Sequence, residues 1–254
     1  SYGLYEQFPQ NVLDEAETSS KRRISPDGLL DLRDKLIFTI DGADTRDIDD
    51  AVSLEMQNDN FVLGVHIADV SRYVALKTEL DKEAYARGTS VYFPDKVLPM
   101  LPKALSNGAC SLNEGEDRYA LSCIMTFDKD GNRVHCKIAE SIINSNGKMT
   151  YSDVTAICDG DAKLCKKYEN LVGTVLNMQK LCLILEDRRK AAGNIELAVN
   201  EPKIYIDENG DIAIKNGARR ISELMIEQFM IAANEAVAEV IIKHKAPCML
   251  RIHE

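Results

Sequence analysis

The sequence predicts an α+β fold, a mixed and largely antiparallel sheet with flanking helices, and three observations carry that expectation. Apolar, β-branched runs follow one another from Leu36 as LIFTI, AVSLEM and FVLGVHIADV. Two later pairs of such runs fold back on Asp-Gly or Asn-Gly, the strongest short-range hairpin signal. Between the strands lie stretches whose apolar residues recur at helical spacing. Hairpins in place of strict strand–helix–strand alternation point to one α+β domain.

Taken in order, the first meander turns at Asn58-Asp59-Asn60. Residues 78–87 read as a short helix closed by Gly88. The first hairpin, CIMTFDKDGNRVHCKIAESI, turns at Asp130-Gly131, and the second, KIYIDENGDIAI, at Asn209-Gly210. Between them, Leu164, Tyr168, Leu171, Val175, Met178 and Leu185 set out one long helix over 161–192, stopped at Gly193. A last helix runs from about Ser222 to Lys245 and is stopped by Pro247. Residues 1–30, with Lys21-Arg22-Arg23, read as an N-terminal connecting arm, and 31–254 as the domain.

A chain of 254 residues with 45% apolar composition can bury a substantial core. Its 41 acidic and 31 basic residues give a net charge of -10, which argues against non-specific coating of nucleic acid and requires any polyanion to meet a local basic path or a metal ion. The seven cysteines are scattered without a C-x-x-C pair, so neither a zinc site nor a disulfide framework is indicated, and a reducing cytoplasm is the expected location. No apolar run is long enough to span a bilayer, the first residues lack the regions of a signal peptide, and no membrane association is expected.

The chemistry concentrates in DGADTRDIDDAV, where five aspartates fall within ten positions, 41–50. Like charges so close raise one another's pKa and cost stability, so the segment is either open to water or built for something positive. With Asp41 ending one strand and Asp47, Asp49 and Asp50 beginning the next, a short connection through Gly42 returns four carboxylates to one end of a hairpin. Hard oxygen donors without His or Cys select magnesium, manganese or calcium over zinc. A helix–loop–helix calcium site does not fit, because counting from Asp41 the sixth position is Arg46 and the twelfth is Val52. An exposed acidic turn and a metal-assisted phosphoryl-transfer site both remain open at this point.

Five blocks settle the direction: TIDGADTRDIDDAVSLE, GVHIADVSRYV, RGTSVYFPDKVLPMLP, LSNGACSLNEGEDR and IEQFMIAAN, in this order, resemble the catalytic domain of the ribonuclease II/ribonuclease R family, over about 31–254 and with the ribonuclease R branch nearer. The resemblance implies processive 3'-to-5' hydrolysis of single-stranded RNA to nucleoside 5'-monophosphates with magnesium, or manganese, and no obligatory protein partner. It puts the catalytic aspartates on Asp41, Asp47, Asp49 and Asp50: Asp41, Asp47 and Asp50 as metal ligands, direct or through water, and Asp49 holding the 3'-terminal nucleotide and positioning the reacting phosphate. Asp44 has no assigned part. Tyr92 falls on a base-stacking tyrosine, and Glu227 on a glutamate beside the terminal nucleotide. Glu227 is also expected to interrupt the apolar face formed by Leu224 and Ile231, a buried carboxylate in need of a partner. His66 reads as a satisfied structural histidine, and Arg219-Arg220 and Arg188-Arg189-Lys190 as solvated helix ends.

Members of the family carry OB-fold domains on both sides of the catalytic domain, and that domain continues past MLRIHE into a segment whose arginine faces the transition state. The expectation is therefore a domain cut partway, with an apolar surface where the remainder packs. Three readings follow: a parent exoribonuclease; a truncated, catalytically impaired fragment that still binds metal; or a non-catalytic RNA-binding homologue. The full aspartate set argues against the last, since a pure RNA binder gains by losing those charges.

Overall fold

The computed structural model describes residues 5–94, 96–194, 202–206, 212–216 and 219–249. Helix α1 (Gln10–Ser20) lies within the stretch expected to be a connecting arm, and it buries Val12 and Ala16 against Tyr73, Leu80 and Leu105. Strands β1 (Leu30–Asp31), β2 (Ile37–Asp41), β3 (Asp50–Gln57) and β4 (Asn60–Ala68) follow. The β3–β4 turn has Asn58 and Asp59 at φ 48° and 65°, the paired positive values a two-residue type I′ turn requires. Helix α2 (Glu79–Arg87) is capped by Thr78, whose hydroxyl accepts from Asp81 N, and ends on Gly88 at φ 72°. A small hairpin, β5 (Val91–Tyr92) and β6 (Val97–Leu98), precedes the long hairpin of β7 (Asp117–Phe127) and β8 (Arg133–Asn144).

After β8 come β9 (Lys148–Thr150), α3 (Tyr151–Cys158), α4 (Ala162–Lys167), α5 (Glu169–Ala191), the hairpin β10 (Pro202–Ile206) and β11 (Ile212–Asn216), and α6 (Ile221–Lys243). The expected turn at Asn209-Gly210 lies outside the described residues. The single helix expected over 161–192 is two. Asp161 caps α4 by accepting from Lys163 N and Leu164 N, and the chain breaks at Tyr168 (φ -110°, ψ 34°), whose hydroxyl donates to Asp153 on α3 at 2.7 Å. That tertiary bond overrides a helical period that runs on without interruption.

Seven strands form one sheet in the order β1-β8-β7-β4-β3-β2-β9, antiparallel except for the outer pairs β1/β8 and β2/β9. This is the mixed, largely antiparallel sheet with flanking helices that the sequence predicts. Alternation along β3, β4 and β7 sends Val52, Leu54, Phe61, Leu63, Val65, Cys123, Met125 and Phe127 to one face, where they meet Val175, Met178, Leu181, Met225 and Phe229 of α5 and α6. The other face holds a smaller core of Leu32, Ile37, Ile48, Ala51, Leu112 and Ile143.

Across that second face runs a buried polar chain linking four strands. Ser141 Oγ donates to Ala120 O at 2.9 Å, so it accepts from Ser122 Oγ at 2.6 Å. With its proton used there, Ser122 accepts from His66 Nδ1 at 2.7 Å, and His66 Nε2 accepts from Ser53 Oγ at 3.1 Å. The donor count puts a proton on Nδ1, and burial, which drives the ring down to about 4, keeps His66 neutral and leaves Nε2 to accept from Ser53. Gly64 leaves the room for this ring, since a Cβ there would stand 2.4 Å from Ser53 Oγ and 2.7 Å from His66 Nε2.

Strand β2 changes partner along its length. Ile37 and Phe38 pair with β3, whereas Thr39, Ile40 and Asp41 pair with β9. The sheet opens between β2 and β3 at the end where the acidic segment lies.

Candidate active site

Asp41 is the last residue of β2 and Asp50 the first of β3, as the sequence suggests, but Asp47 and Asp49 belong to the connection. The reason is that the backbone of 45–49 is bonded elsewhere: Ser111 Oγ donates to Arg46 O, Ile48 N to Ser111 Oγ, Leu112 N to Ile48 O, and Lys148 Nζ to Thr45 O. Ile48 is buried between two outward aspartates and pins the loop. Asp49 O accepts from Ala68 N at 2.9 Å, which fixes the start of β3 beside the end of β4.

The structure gathers the four carboxylates electrostatically. Burial pushes Asp41 up to about 6, with Asp50 as the strongest like charge on it and Asp49 and Asp47 behind; Lys148 acts in the opposite direction. Asp50 is also pushed up to about 6, by burial and then by Asp49. Asp49, more exposed, is raised by desolvation and then by Asp47. Asp41 Oδ2 is buried without a hydrogen-bond partner. Asp44 stays exposed and out of the cluster.

Tyr92 is 63% exposed and its hydroxyl donates to Asp47 Oδ2 at 2.6 Å, a bond that, ahead of desolvation, raises its pKa to about 12. The aromatic face is left open beside the cluster. Glu227 is placed differently from expectation. It is exposed and paired with the Arg219 guanidinium, and it is not among the charges acting on Asp41, Asp49 or Asp50. Its neighbour Gln228, 5% exposed, is buried instead, because the buried face of the helix runs through Met225, Phe229, Ala232 and Ala236.

Two residues at the cluster escape the sequence reasoning. Tyr151, the first residue of α3, is half-buried, and burial followed by the Asp41 and Asp50 charges raises its pKa to about 12. Lys148 reaches the loop from β9. Both are brought in by the parallel pairing of β9 with β2, Thr39 to Lys148 and Asp41 to Thr150. The available signal was Thr150-x-x-Asp153, the cap that starts α3, with Asp153 N donating to Thr150 Oγ1 at 3.0 Å. His66 is not in the cluster but in the polar chain below it, and Asp69 pairs with Arg72.

As for a metal, the donors are hard oxygens, and the unpartnered buried Asp41 Oδ2 asks for a positive neighbour, so the residue set fits a hard divalent cation. Among the described residues no three acidic, histidine or cysteine side chains already stand in an ion-holding arrangement. If such an ion bound, these carboxylates would hold it together with oxygens from other sources, since a hard cation of this kind commonly keeps several waters. Nor is any described helix long and apolar enough to cross a membrane.

The two half-buried aspartates, Asp41 and Asp50, and the buried His66 act oppositely on stability. The carboxylates, raised to about 6, bind protons better folded than unfolded, so between their ordinary values and pH 6 they favour the fold as pH falls. His66 is driven down to about 4 by burial, so from pH 6.5 to 4 the unfolded chain takes up a proton that the folded one refuses. Its contribution is full above pH 6.5 and is lost on the way to pH 4, by up to roughly 3 kcal/mol. Urea unfolding from pH 4 to 7, with a His66→Asn variant subtracted, is expected to show that slope; parallel curves for the two proteins would exclude it.

Residues 30–254 match the sequence profile of the RNB domain. Ribonuclease R 1 of Lactococcus lactis subsp. lactis is 44% identical over 258 residues, an alignment covering 100% of this chain and 32% of that protein. Among solved structures, Mycoplasma genitalium RNase R in complex with ribose methylated single-stranded RNA superposes with a TM-score of 0.88 at 29% identity, over 99% of this chain and 39% of the other. Its complex with double-stranded RNA gives 0.85, over 96% and 44%. The chain spans about a third of the length of the curated relatives it matches.

Proposed function

The chain belongs to the RNB domain family, and from that premise we propose that it is the N-terminal part, residues 31–254, of the catalytic domain of a 3'-to-5' hydrolytic exoribonuclease, with 1–30 leading into it. The observation that carries the reading is the acidic cluster itself, two half-buried aspartates raised to about 6 and one carboxylate oxygen without a partner. A fold does not keep so costly an arrangement for stability. The substrate we propose is single-stranded RNA, consumed processively to nucleoside 5'-monophosphates. A reducing cytoplasm suits a chain whose seven cysteines are all unbridged; recovery in a secreted or periplasmic fraction would exclude that location.

Asp41, Asp47 and Asp50 hold magnesium or manganese in this reading. When bound, the ion neutralises the cluster and supplies charge stabilisation and an activated water at the phosphodiester. Asp49, at the exposed edge, positions the terminal nucleotide so that its phosphate faces Asp41 and Asp50. Tyr92, held at one end by Asp47, offers its ring to a base irrespective of sequence. Tyr151 and Lys148 stand on the β9 side of the cluster, where Lys148 holds the loop through the Thr45 carbonyl and its charge opposes the raising of Asp41.

The test is hydrolysis of a 5'-labelled single-stranded RNA with magnesium or manganese by the chain extended to the length of its relatives. Mononucleotide release dependent on the ion is expected, with a longer smallest product for Tyr92→Ala. Cleavage inside the RNA, or activity indifferent to chelation, would overturn the reading. The 254 residues alone are expected to be weak or inactive, since transition-state charge has few fixed cations here to meet it.

A further inference from the structure

We propose that the cleft between α5, α6 and the β7–β8 turn is a binding site for a phosphate-class oxyanion, independent of the aspartate cluster. The cleft measures about 220 Å³ and has an apolar floor of Phe127, Leu185 and Ala232. Three guanidinium groups, Arg133, Arg188 and Arg189, line it together with Glu235 and Glu239, a local basic excess in a chain of net charge -10. It lies at the far end of the sheet. Phe127 pairs with Phe61, while Ala120, nearer the aspartates, pairs with Ala68; those seven residues of strand amount to roughly 23 Å.

Two groups lining the cleft are buried and lack partners. Gln228, 5% exposed, has no hydrogen bond to Oε1, and Arg189 Nε is likewise unbonded. A buried group left in this state costs about 1–3 kcal/mol. The arginine N–H can be satisfied only by an acceptor. The amide can turn either its oxygen or its NH₂ to a ligand, because the two ends are interchangeable in shape. Monohydrogen phosphate carries acceptor oxygens for the guanidinium and a hydroxyl for the amide oxygen, so one ligand satisfies both; a cation satisfies the amide oxygen but leaves the arginine N–H without an acceptor.

The rest of the cleft suits an anion as well. Arg189 Nη1 reaches Glu235 at 3.1 Å and Arg133 pairs with Glu239, but these carboxylates are 60% and 68% exposed. Such pairs contribute little and yield readily to a ligand that takes the guanidinium in a bidentate grip. Arg188 is held at the mouth by the turn: its Nη1 donates to Asp130 O at 3.1 Å, and Gly131, at φ +75°, lets the backbone lie so near that a Cβ would stand 2.8 Å from Arg188 Cδ. The Arg188-Arg189-Lys190 run, which by sequence alone is a solvated helix end, is thus partly turned into a lined cleft.

Calorimetric titration of the 254-residue chain with inorganic phosphate, in chelator and at low salt, is expected to show one saturable site. Gln228→Leu and the exposed Arg188→Gln are each expected to weaken it by about tenfold. Gln228→Leu should at the same time raise the melting temperature, because it removes an unpartnered buried amide. No saturation by ~10 mM phosphate, or affinity unchanged in both variants while folding is intact, would overturn the proposal. Parallel titrations with a nucleoside 5'-monophosphate and a short single-stranded RNA identify whether the phosphate comes from a free nucleotide or from a nucleic acid backbone. Because the aspartates without a divalent ion repel phosphate, binding here is separable from the exonuclease reading, and each can fail alone.

Discussion

Asp49→Asn, in a chain extended to the length of its relatives, is expected to lower turnover on single-stranded RNA about a thousandfold or more, while affinity for that RNA stays level or rises. The substitution keeps the shape of the side chain, and the backbone bond from Ala68 N to Asp49 O does not depend on it. What it removes is a charge at the exposed edge of the cluster, where the Asp47 carboxylate already opposes it. In the proposed role, losing that charge relieves repulsion of the RNA backbone, which favours binding, and forfeits the positioning of the phosphate, which is felt only as the bond breaks. Single-turnover hydrolysis beside fluorescence anisotropy separates the two effects. Turnover within a few-fold of the unmodified enzyme would remove Asp49 from the site.

The largest expected loss of stability comes from a single methyl group. In Gly64→Ala the new Cβ stands 2.4 Å from Ser53 Oγ and 2.7 and 2.9 Å from His66 Nε2 and Cε1, closer than any real contact. The ring cannot withdraw, because it is fully buried and bonded at both nitrogens. The strand pairs on both sides, Ser53 to Gly64 and Gly64 to Ile124, fix the backbone. Overpacking together with a broken polar chain is expected to cost roughly 2–4 kcal/mol, read as a lower urea midpoint. His66→Ala in the same chain should restore part of the loss, since the two sites share one contact. Gly173, inside α5 with nothing within 4 Å, gives the contrast: Gly173→Ala is expected to add about 0.5–1 kcal/mol by helix propensity. Equal midpoints for Gly64→Ala and the unmodified chain would mean that the ring and serine can move aside after all.

What the sequence made legible was local. Strands with two-residue alternation, the Asn58-Asp59 turn, the Thr78 and Gly88 ends of α2 and the extent of α6 are written in neighbouring residues, and the structure has them. The aspartates were legible for the same reason, being nearly contiguous. What was hidden depends on distant partners. The start of β3 at Asp50 follows from Ser111 and Leu112, some sixty residues away. The break at Tyr168 follows from Asp153. The periodicity of α6 gave it an apolar face but not its edge, so Glu227 was expected where Gln228 lies. Tyr151 and Lys148 went unseen because only the pairing of β9 with β2 carries them to Asp41.

That same exchange of partners along β2 sets an order of events during synthesis. The acidic residues leave the ribosome within ten positions of one another, yet Asp41 has its strand partner only at Thr150. Contacts of such sequence separation are slow to close and come after local hairpins. At about 5–20 residues per second, the β3–β4 hairpin is complete several seconds before β9 and α3 emerge. Through that interval the nascent chain displays an acidic tip with its first carboxylate unplaced, so the aspartate cluster is assembled only after the chain beyond Thr150 has emerged.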